Sequence, residues 1–485
     1  MTRNWSIYQQ NIFSFVEHED GNAIVEAVAG SGKSTTIVHA LGLVPKSKTS
    51  IFLAFNKAIA DELKSRNVNA RTFHSLTFSP VMKSRNQSQP SLNKLRDLCD
   101  ANMRTMDKTL YQAFACKMVG LARQVGIGCL VQDTEQAWID IAAHHDIEPE
   151  HEDADFGRAI ELSRALLDWS NASGMVDFDD MLYFAVKDGI SLPKFDVVFV
   201  DEAQDTNAIQ RAILRKIMKP TSRIVAVGDP AQAIYGFRGA DSNSLNLIAE
   251  EFNCKRLPLS ITYRCPTSVV TYAQQWVSHI QAPVGAPEGA VTELGSKWDP
   301  SIFQARDLVV CRKTAPLITL AYRLIRARKP VTVMGREIGQ GLKALIKKMN
   351  AGSVDQLSAK LEIWRDREID KARAKKDDAK VEAIEDKVNS ILFLIEGLYE
   401  NERTIRGLEA SIDSLFTDKA NATIFATIHK SKGLEADRVF WLDRSQCPAQ
   451  WARQPWQQEQ EVNLCYVAAT RAKKALFTLE MKDRN

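Results

Sequence analysis

A chain of 485 residues exceeds what one ordinary hydrophobic core serves, so roughly three or four domains are expected. Its composition, 45% hydrophobic and 25% charged, is that of a globular protein in water, and a net charge of only +3 excludes a uniformly basic nucleic-acid binder while allowing a local basic groove. No apolar run reaches the length of about 18 residues that a membrane span requires, and Met1-Thr-Arg-Asn-Trp-Ser lacks a signal-peptide core, so a cytoplasmic protein is expected. The eight cysteines form no C-x-x-C pair and no zinc spacing with histidine, which reads as reduced, buried thiols.

In chain order, the first apolar strand is expected at Ala23–Val28. It runs into Ala27-Val-Ala-Gly-Ser-Gly-Lys-Ser34, the pattern G-x-x-x-x-G-K-[ST] with Ala27 in place of the first glycine. Such a loop wraps backbone N–H groups around phosphates at a helix N-terminus. Ala29, Gly30, Ser31, Gly32 and Thr35 complete the cradle, Lys33 neutralises the β- and γ-phosphate oxygens, and Ser34 ligates Mg2+. A second strand follows at Ser50–Ala54, and then the chain turns polar and helix-like between about Pro80 and Ser173, an inserted helical subdomain. The nearly continuous apolar run Phe195-Asp-Val-Val-Phe-Val200 suits a strand buried on both faces. Asp201 at its end is placed to hold magnesium, directly or through water, and Glu202 to polarise an attacking water as general base. A Gly-rich turn by chance and an acidic helix cap are the bland readings of the two motifs; their joint presence argues against both.

A strand at Ile224–Val227 completes a first β/α block, and a second block repeats the texture. Its strands are expected at Leu308–Cys311, Val331–Met334, Thr423–Ala426, Val439–Leu442 and Ala475–Leu479. The interruption from about Glu337 to Asp418 is densely charged in its middle, then carries Val381, Ile384, Val388, Ile391, Ile395 and Leu398 at spacings of three and four. That stripe predicts a helical hairpin protruding from the second block, with an intermolecular coiled coil as the less favoured reading. The expected boundaries are 1–80 with 173–258 for the first sheet domain, 81–172 for its insertion, 259–336 with 419–485 for the second, and 337–418 for its insertion.

Asp201-Glu-Ala-Gln-Asp205 and Val227-Gly-Asp-Pro-Ala-Gln-Ala-Ile-Tyr-Gly-Phe-Arg-Gly-Ala240 together resemble the superfamily 1 DNA helicases of the UvrD/Rep/PcrA type. Further motifs of that family recur in the same order. They are Ser6-Ile-Tyr-Gln9, Ala54-Phe-Asn-Lys57, Thr72-Phe-His-Ser-Leu76, Asp177-Phe-Asp-Asp-Met-Leu182, Thr262-Tyr-Arg264, Thr427-Ile-His-Lys-Ser-Lys-Gly-Leu-Glu435 and Tyr466-Val-Ala-Ala-Thr-Arg-Ala472. The resemblance implies an α/β fold of two RecA-like, parallel-sheet P-loop NTPase domains, each with a largely helical inserted subdomain. It also assigns roles. Gln9 (with Gln10 as alternative) reads the adenine edge, Tyr263 stacks on adenine, and Glu435 approaches the ribose. Gln232 senses the γ-phosphate, and Arg264 and Arg471 act as arginine fingers, a task suited to a permanently charged, two-pronged donor.

The same resemblance implies a single-strand track with Phe55, Asn56, Thr72, His74, Tyr235, Phe237 and Arg238. Aromatic faces stack on bases of any sequence, and polar groups meet phosphates. Phe55 and Phe237 could equally be core residues, and His74 could instead hold its loop by hydrogen bonds. The implied activity is ATP-dependent DNA unwinding with 3′ to 5′ polarity. The implied partners are ATP, Mg2+, single-stranded DNA and its junctions with duplex, for a monomer in a bacterial, phage or plasmid setting. RNA stays open as a substrate, and a protein partner as an occupant of the 337–418 insertion. That insertion is much shorter than the matching subdomain of the large family members, which leaves the strength of unwinding open; the alternatives are a translocase that strips proteins from single strands and separates duplexes poorly, and an ATP-gated binding module without stepping, against which the intact Glu202, Arg264 and Arg471 argue.

Overall fold

A computed structural model describes residues 4–145, 147–149, 151, 153–236, 243–375 and 377–481. The chain divides into two compact units, Met1–Ser260 and Ile261–Asn485.

The first unit is built on a wholly parallel six-stranded sheet of β1 (Asn22–Ala27), β2 (Ser50–Leu53), β3 (Ala70–Arg71), β4 (Phe195–Val200), β5 (Met218–Gly228) and β6 (Cys254–Leu259), in the order β3-β2-β4-β5-β1-β6. Alternation along the strands supplies two cores. Ala23, Val25, Val197, Phe199, Val225 and Val227 pack on one face with α1 (Ile7–His18), α2 (Lys33–Gly42) and α3 (Lys57–Ser65). Ile24, Val198, Val200, Ile224 and Ala226 pack on the other, under α4 (Phe73–Ser84), the helices α5 (Lys94–Asn102), α6 (Thr105–Val125), α7 (Glu135–His144) and α8 (Phe156–Ala172), then α9 (Phe178–Lys187), α10 (Ala208–Ile217) and α11 (Ser244–Glu251). Burial on both faces is why β4 carries an almost unbroken apolar run.

An ion network buried except at Asp177 fastens the inserted helices to α9. Lys94 of α5 meets the carboxylate of Asp180 at 2.6 Å, and Arg123 of α6 reaches Asp180 at 3.1 Å and Asp177 at 2.8 Å. Asp177 and Asp180 also form the capping box that starts α9. Burial pushes the Lys94 ammonium down and the Asp180 carboxyl up, against the attraction between them.

The second unit carries another parallel six-stranded sheet: β7 (Ala290–Gly295), β8 (Leu308–Cys311), β9 (Val331–Val333), β10 (Thr423–Thr427), β11 (Ala436–Leu442) and β12 (Ala472–Leu479), in the order β7-β12-β11-β8-β10-β9. Its helices are α12 (Thr267–Ala273), α13 (Thr314–Arg326), α14 (Arg336–Met349), α15 (Val354–Ala374), α16 (Asp378–Gly397), α17 (Ile405–Leu415), α18 (Ile428–Ser431) and α19 (Pro455–Ala469).

The expected hairpin does not stand clear of the second sheet as a protrusion. Helices α15 and α16 do pair, but Val388, Ile391 and Ile395 of the stripe join Phe425 and Phe440 of the sheet and Leu317 and Leu320 of α13 in one core. The stripe is therefore consumed within its own unit, and it is no intermolecular coiled-coil seam. Gly397 permits the close approach, because a Cβ there would lie 2.4 Å from the Tyr322 ring of α13. Asp386 of α16 accepts the backbone N–H groups of Thr314 and Ala315 at 2.9 and 2.6 Å, capping α13 from outside. Only the far end of the hairpin forms a small core of its own, from Ile369, Ala372 and Ile384 with Trp364 and Val381.

Candidate nucleotide site and aromatic platform

The phosphate loop follows β1. Gly30 (φ 71°) and Gly32 (φ 78°) both take the left-handed conformation that costs glycine least, and Gly32 is the N-cap of α2. That helix start presents N–H groups toward the loop without a side-chain cap. Gln9 is buried beside it; its carboxamide donates to Thr36 Oγ1 at 2.9 Å and accepts from the Ser6 N–H at 3.0 Å. The alternative, Gln10, is exposed and donates to the Trp5 carbonyl.

The end of β4 brings carboxylates to the loop. Lys33 Nζ lies 3.1 Å from Glu202 Oε1. Burial alone would depress the Lys33 ammonium, but Glu202, Asp229 and Asp201 outweigh it and hold its pKa above the ordinary lysine value. Asp201 is buried and accepts the Glu202 N–H at 3.0 Å. Glu202 itself sits at φ 49°, a sparsely populated region for a residue with a side chain, and this turns the chain sharply off the strand. Ser34 is exposed at the start of α2. A hydroxyl and a carboxylate are hard oxygen donors, and Mg2+ typically takes one or two such protein groups and completes its shell with phosphates and water. Ser34 and Asp201 fit that ion as a donor set and would hold it; when bound, it supplies charge neutralisation at the phosphates.

Beyond Glu202 a buried polar chain continues. Gln204 Nε2 donates to Glu202 Oε2 at 2.5 Å, and Gln204 Oε1 accepts the backbone N–H of Asp229 at 3.1 Å. The Asp229 carboxylate then accepts Gln232 Nε2 at 2.5 Å. Burial raises the Asp229 carboxyl above the usual range, against the pull of Lys33 and the Gln232 amide. Thus Lys33, Asp201, Glu202 and Gln232 come together at the carboxyl ends of β1, β4 and β5. Three residues past Gln232, Tyr235 lies parallel to Phe55, with ring centroids 6.2 Å apart and planes 10° apart. Phe55 is 46% exposed, so it is a surface ring and no core residue. These rings, His74, Asn207, Gln210 and Asp179 line one cavity of about 370 Å³.

His74 lies in the first turn of α4, and burial lowers its pKa below the ordinary histidine value. Asn56 and Thr72 cap α3 and α4 through the Ile59 and Ser75 N–H groups. Phe237 and Arg238 lie outside the described residues.

The second unit gathers the remaining candidates. Arg264 donates to Glu435 Oε2 at 2.7 Å and to the Thr470 carbonyl at 3.2 Å. Glu435 also meets Lys473 at 3.0 Å; burial opposes its ionisation, but Lys473 and Arg264 hold its carboxyl below the usual range. Arg471 is buried, and its guanidinium donates to the carbonyls of Val467 at 2.9 Å and Leu434 at 3.3 Å. Tyr263 is 48% exposed next to this cluster in sequence.

Comparison with known proteins decides the family. The model of the UvrD/REP helicase N-terminal domain matches residues 8–253, and that of the UvrD-like helicase C-terminal domain matches residues 336–482. The chain belongs to the UvrD/Rep helicases. It is 24% identical to the F-box DNA helicase protein 1 of Schizosaccharomyces pombe over 93% of this chain and 55% of that protein. It is 27% identical to DNA helicase II of Escherichia coli over 28% of this chain and 21% of that protein. With the ATP-dependent DNA helicase PcrA of Leuconostoc citreum it shares 30% identity over 28% of this chain and 19% of the relative. The chain thus matches between about a fifth and about half of the length of these relatives.

In this UvrD-like helicase, sequence reading passed over Gln204 and Asp229, although both stand inside quoted motifs. A motif names residue types; it does not say that the Gln204 carboxamide folds back between Glu202 and the end of the neighbouring strand β5. One signal was present: Gly228 directly precedes Asp229, and a Cβ there would fall 2.4 Å from Gln204 Oε1. Among the described residues no helix is long and apolar enough to cross a membrane.

Proposed function

We propose that this chain is an ATP-driven motor on single-stranded DNA that steps 3′ to 5′ and separates duplex at a junction. The observation that carries the reading is one short segment with two ends: after β5, Gln232 bonds the Asp229 carboxylate, which acts on Lys33, and Tyr235 lies parallel to the exposed Phe55 ring. A segment shared by a phosphate site and a base-sized aromatic platform gives a physical route from nucleotide chemistry to strand grip.

In this reading Lys33 neutralises phosphate oxygens and Glu202 takes a proton from the attacking water. Gln232 senses the γ-phosphate. Arg264 and Arg471 stabilise charge on the phosphates during turnover, and the contacts to Glu435, Thr470, Val467 and Leu434 support it by fixing both guanidinium groups before reaction. Gln9 and Tyr263 take the adenine and Glu435 the ribose. Phe55, Asn56, Thr72, His74, Tyr235, Phe237 and Arg238 hold the strand, the aromatic rings by stacking and the polar groups at phosphates.

The domain boundaries stated from sequence, a monomeric state and a protein partner for the 337–418 insertion belong to the same proposal. Turnover of ATP with and without single-stranded DNA tests it. The wild-type rate rises with DNA; Lys33→Ala and Glu202→Gln abolish the stimulated rate, and Glu202→Gln still binds ATP. An ATPase rate indifferent to DNA would remove the motor reading and leave a nucleotide-gated binding module.

A further inference from the structure

We propose that Gln204 is the positioning residue that aims the Glu202 carboxylate and makes its aim answer to the Gln232–Tyr235 segment. The inference rests on the motor reading and adds a residue and a route to it.

Both carboxylate oxygens of Glu202 are held: Oε1 by Lys33 at 3.1 Å and Oε2 by Gln204 at 2.5 Å. The two partners differ in kind. Lys33 is a phosphate ligand in the proposed reaction, so its hold on Glu202 competes with substrate. Gln204 has no such second task and is 1% exposed. Its amide orientation is settled by its neighbours. The Asp229 N–H can be met only by Oε1, which turns Nε2 onto the carboxylate.

Three features fix Gln204 in place. Glu202 at φ 49° bends the chain so that the short helical turn Ala203–Asp205 folds against the sheet end. The carbonyl of Ala203 accepts Ser244 Oγ of α11 and Thr206 Oγ1, both at 3.0 Å. Gly228 leaves the space that the carboxamide fills.

The other end of the amide is the informative one. Its acceptor is bonded to the main chain at Asp229, the first residue of the segment that turns through Pro230–Gln232 and ends at Tyr235. A shift of Tyr235 as a base seats against Phe55 moves this segment. The Asp229 N–H carries the shift to Gln204, which is rigidly bonded to Glu202. Buried hydrogen bonds in series transmit such displacements because an unmet buried donor is expensive, about 1–3 kcal/mol. The route is contiguous, and double substitutions can test its coupling.

The test is steady-state ATP turnover by the full chain, with and without oligothymidine, for wild type, Gln204→Leu and Gln204→Glu. Thermal unfolding of each verifies the fold. Gln204→Leu keeps the size and removes both bonds; its DNA-stimulated kcat falls about tenfold or more while KM for ATP stays within about twofold. Gln204→Glu keeps the acceptor for Asp229 but sets a second carboxylate against Glu202. The donor to Glu202 is thereby replaced by an oxygen that repels it, so the stimulated kcat falls as far as in Gln204→Leu with KM for ATP again within about twofold, whereas a side chain needed only to meet the Asp229 N–H would keep its rate. If Gln204→Leu retains its stimulated kcat within twofold, or loses only KM, the proposal is overturned. A stimulated kcat in Gln204→Glu within twofold of wild type overturns it too. Failure of wild type to respond to oligothymidine strikes the motor reading instead, so the two failures are distinguishable.

Discussion

Replacing Gly228 by alanine adds one methyl group where the geometry leaves no room for it. The new Cβ would lie 2.4 Å from Gln204 Oε1, 3.0 Å from Leu245 Cδ1 and 3.1 Å from the backbone nitrogen of Gln204. The main-chain contact cannot rotate away, and the carboxamide can move only by giving up its bonds to Asp229 and Glu202. Overpacking of this kind costs about 1–3 kcal/mol, and an unmet buried Asp229 N–H costs about as much again. The sum, about 2–6 kcal/mol, is a large share of the stability of an ordinary domain.

Urea unfolding followed by tryptophan fluorescence measures it, read at the transition that reports Trp138 and Trp169 of the first unit. Adding Gln204→Ala in the Gly228→Ala background relieves the side-chain clash and recovers part of the loss. It does not recover the Asp229 hydrogen bond. Gly228→Ala within about 0.5 kcal/mol of wild type and with unchanged kcat would show that the carboxamide does not occupy that space.

Two further predictions concern the helices α5 to α8. Lys94→Met leaves Asp180 buried with Arg123 as its remaining cation, and it lowers stability by roughly 3 kcal/mol in the same unfolding measurement; a change under about 1 kcal/mol would contradict the buried network. His145 has its pKa lowered from 6.5 to about 4, by burial first and then by His144 and Lys117. The unfolded chain therefore takes up a proton in that window and the folded chain does not, so stability falls as pH drops from 6.5 to about 4. His145→Gln removes this part of the acid sensitivity, and an identical pH dependence in the variant would refute the assignment.

The parts of the fold legible in the sequence are those where burial leaves a one-dimensional trace. Strands β1, β2, β4, β8 and β10 were expected within a residue or two because each is an apolar run flanked by turns. The strands that sequence reading passed over, β3, β6 and β7, are sheet edges. β6 carries Lys255, Arg256 and Pro258, tolerable only where one side of the strand needs no partner. β7 is largely exposed and has no apolar run to announce it. The heptad stripe of α16 was read correctly as helix and wrongly as a protrusion, because periodicity states that a face is buried and never against what.

The candidate site divides along the same line. Lys33, Asp201 and Glu202 were legible from loop chemistry next to apolar strands. The Gln204–Asp229 link was not, because it joins two motifs through a side chain folded back on its own turn.

A DNA motor that steps 3′ to 5′ opens a duplex from one kind of tail. A strand-displacement assay on duplexes with a 3′ tail, a 5′ tail or blunt ends, each with ATP and magnesium, tests it most directly. Displacement is expected from the 3′-tailed duplex, none in Glu202→Gln, and little from the other two substrates. Displacement confined to the 5′-tailed duplex, or none from any substrate despite DNA-stimulated ATP turnover, would contradict it.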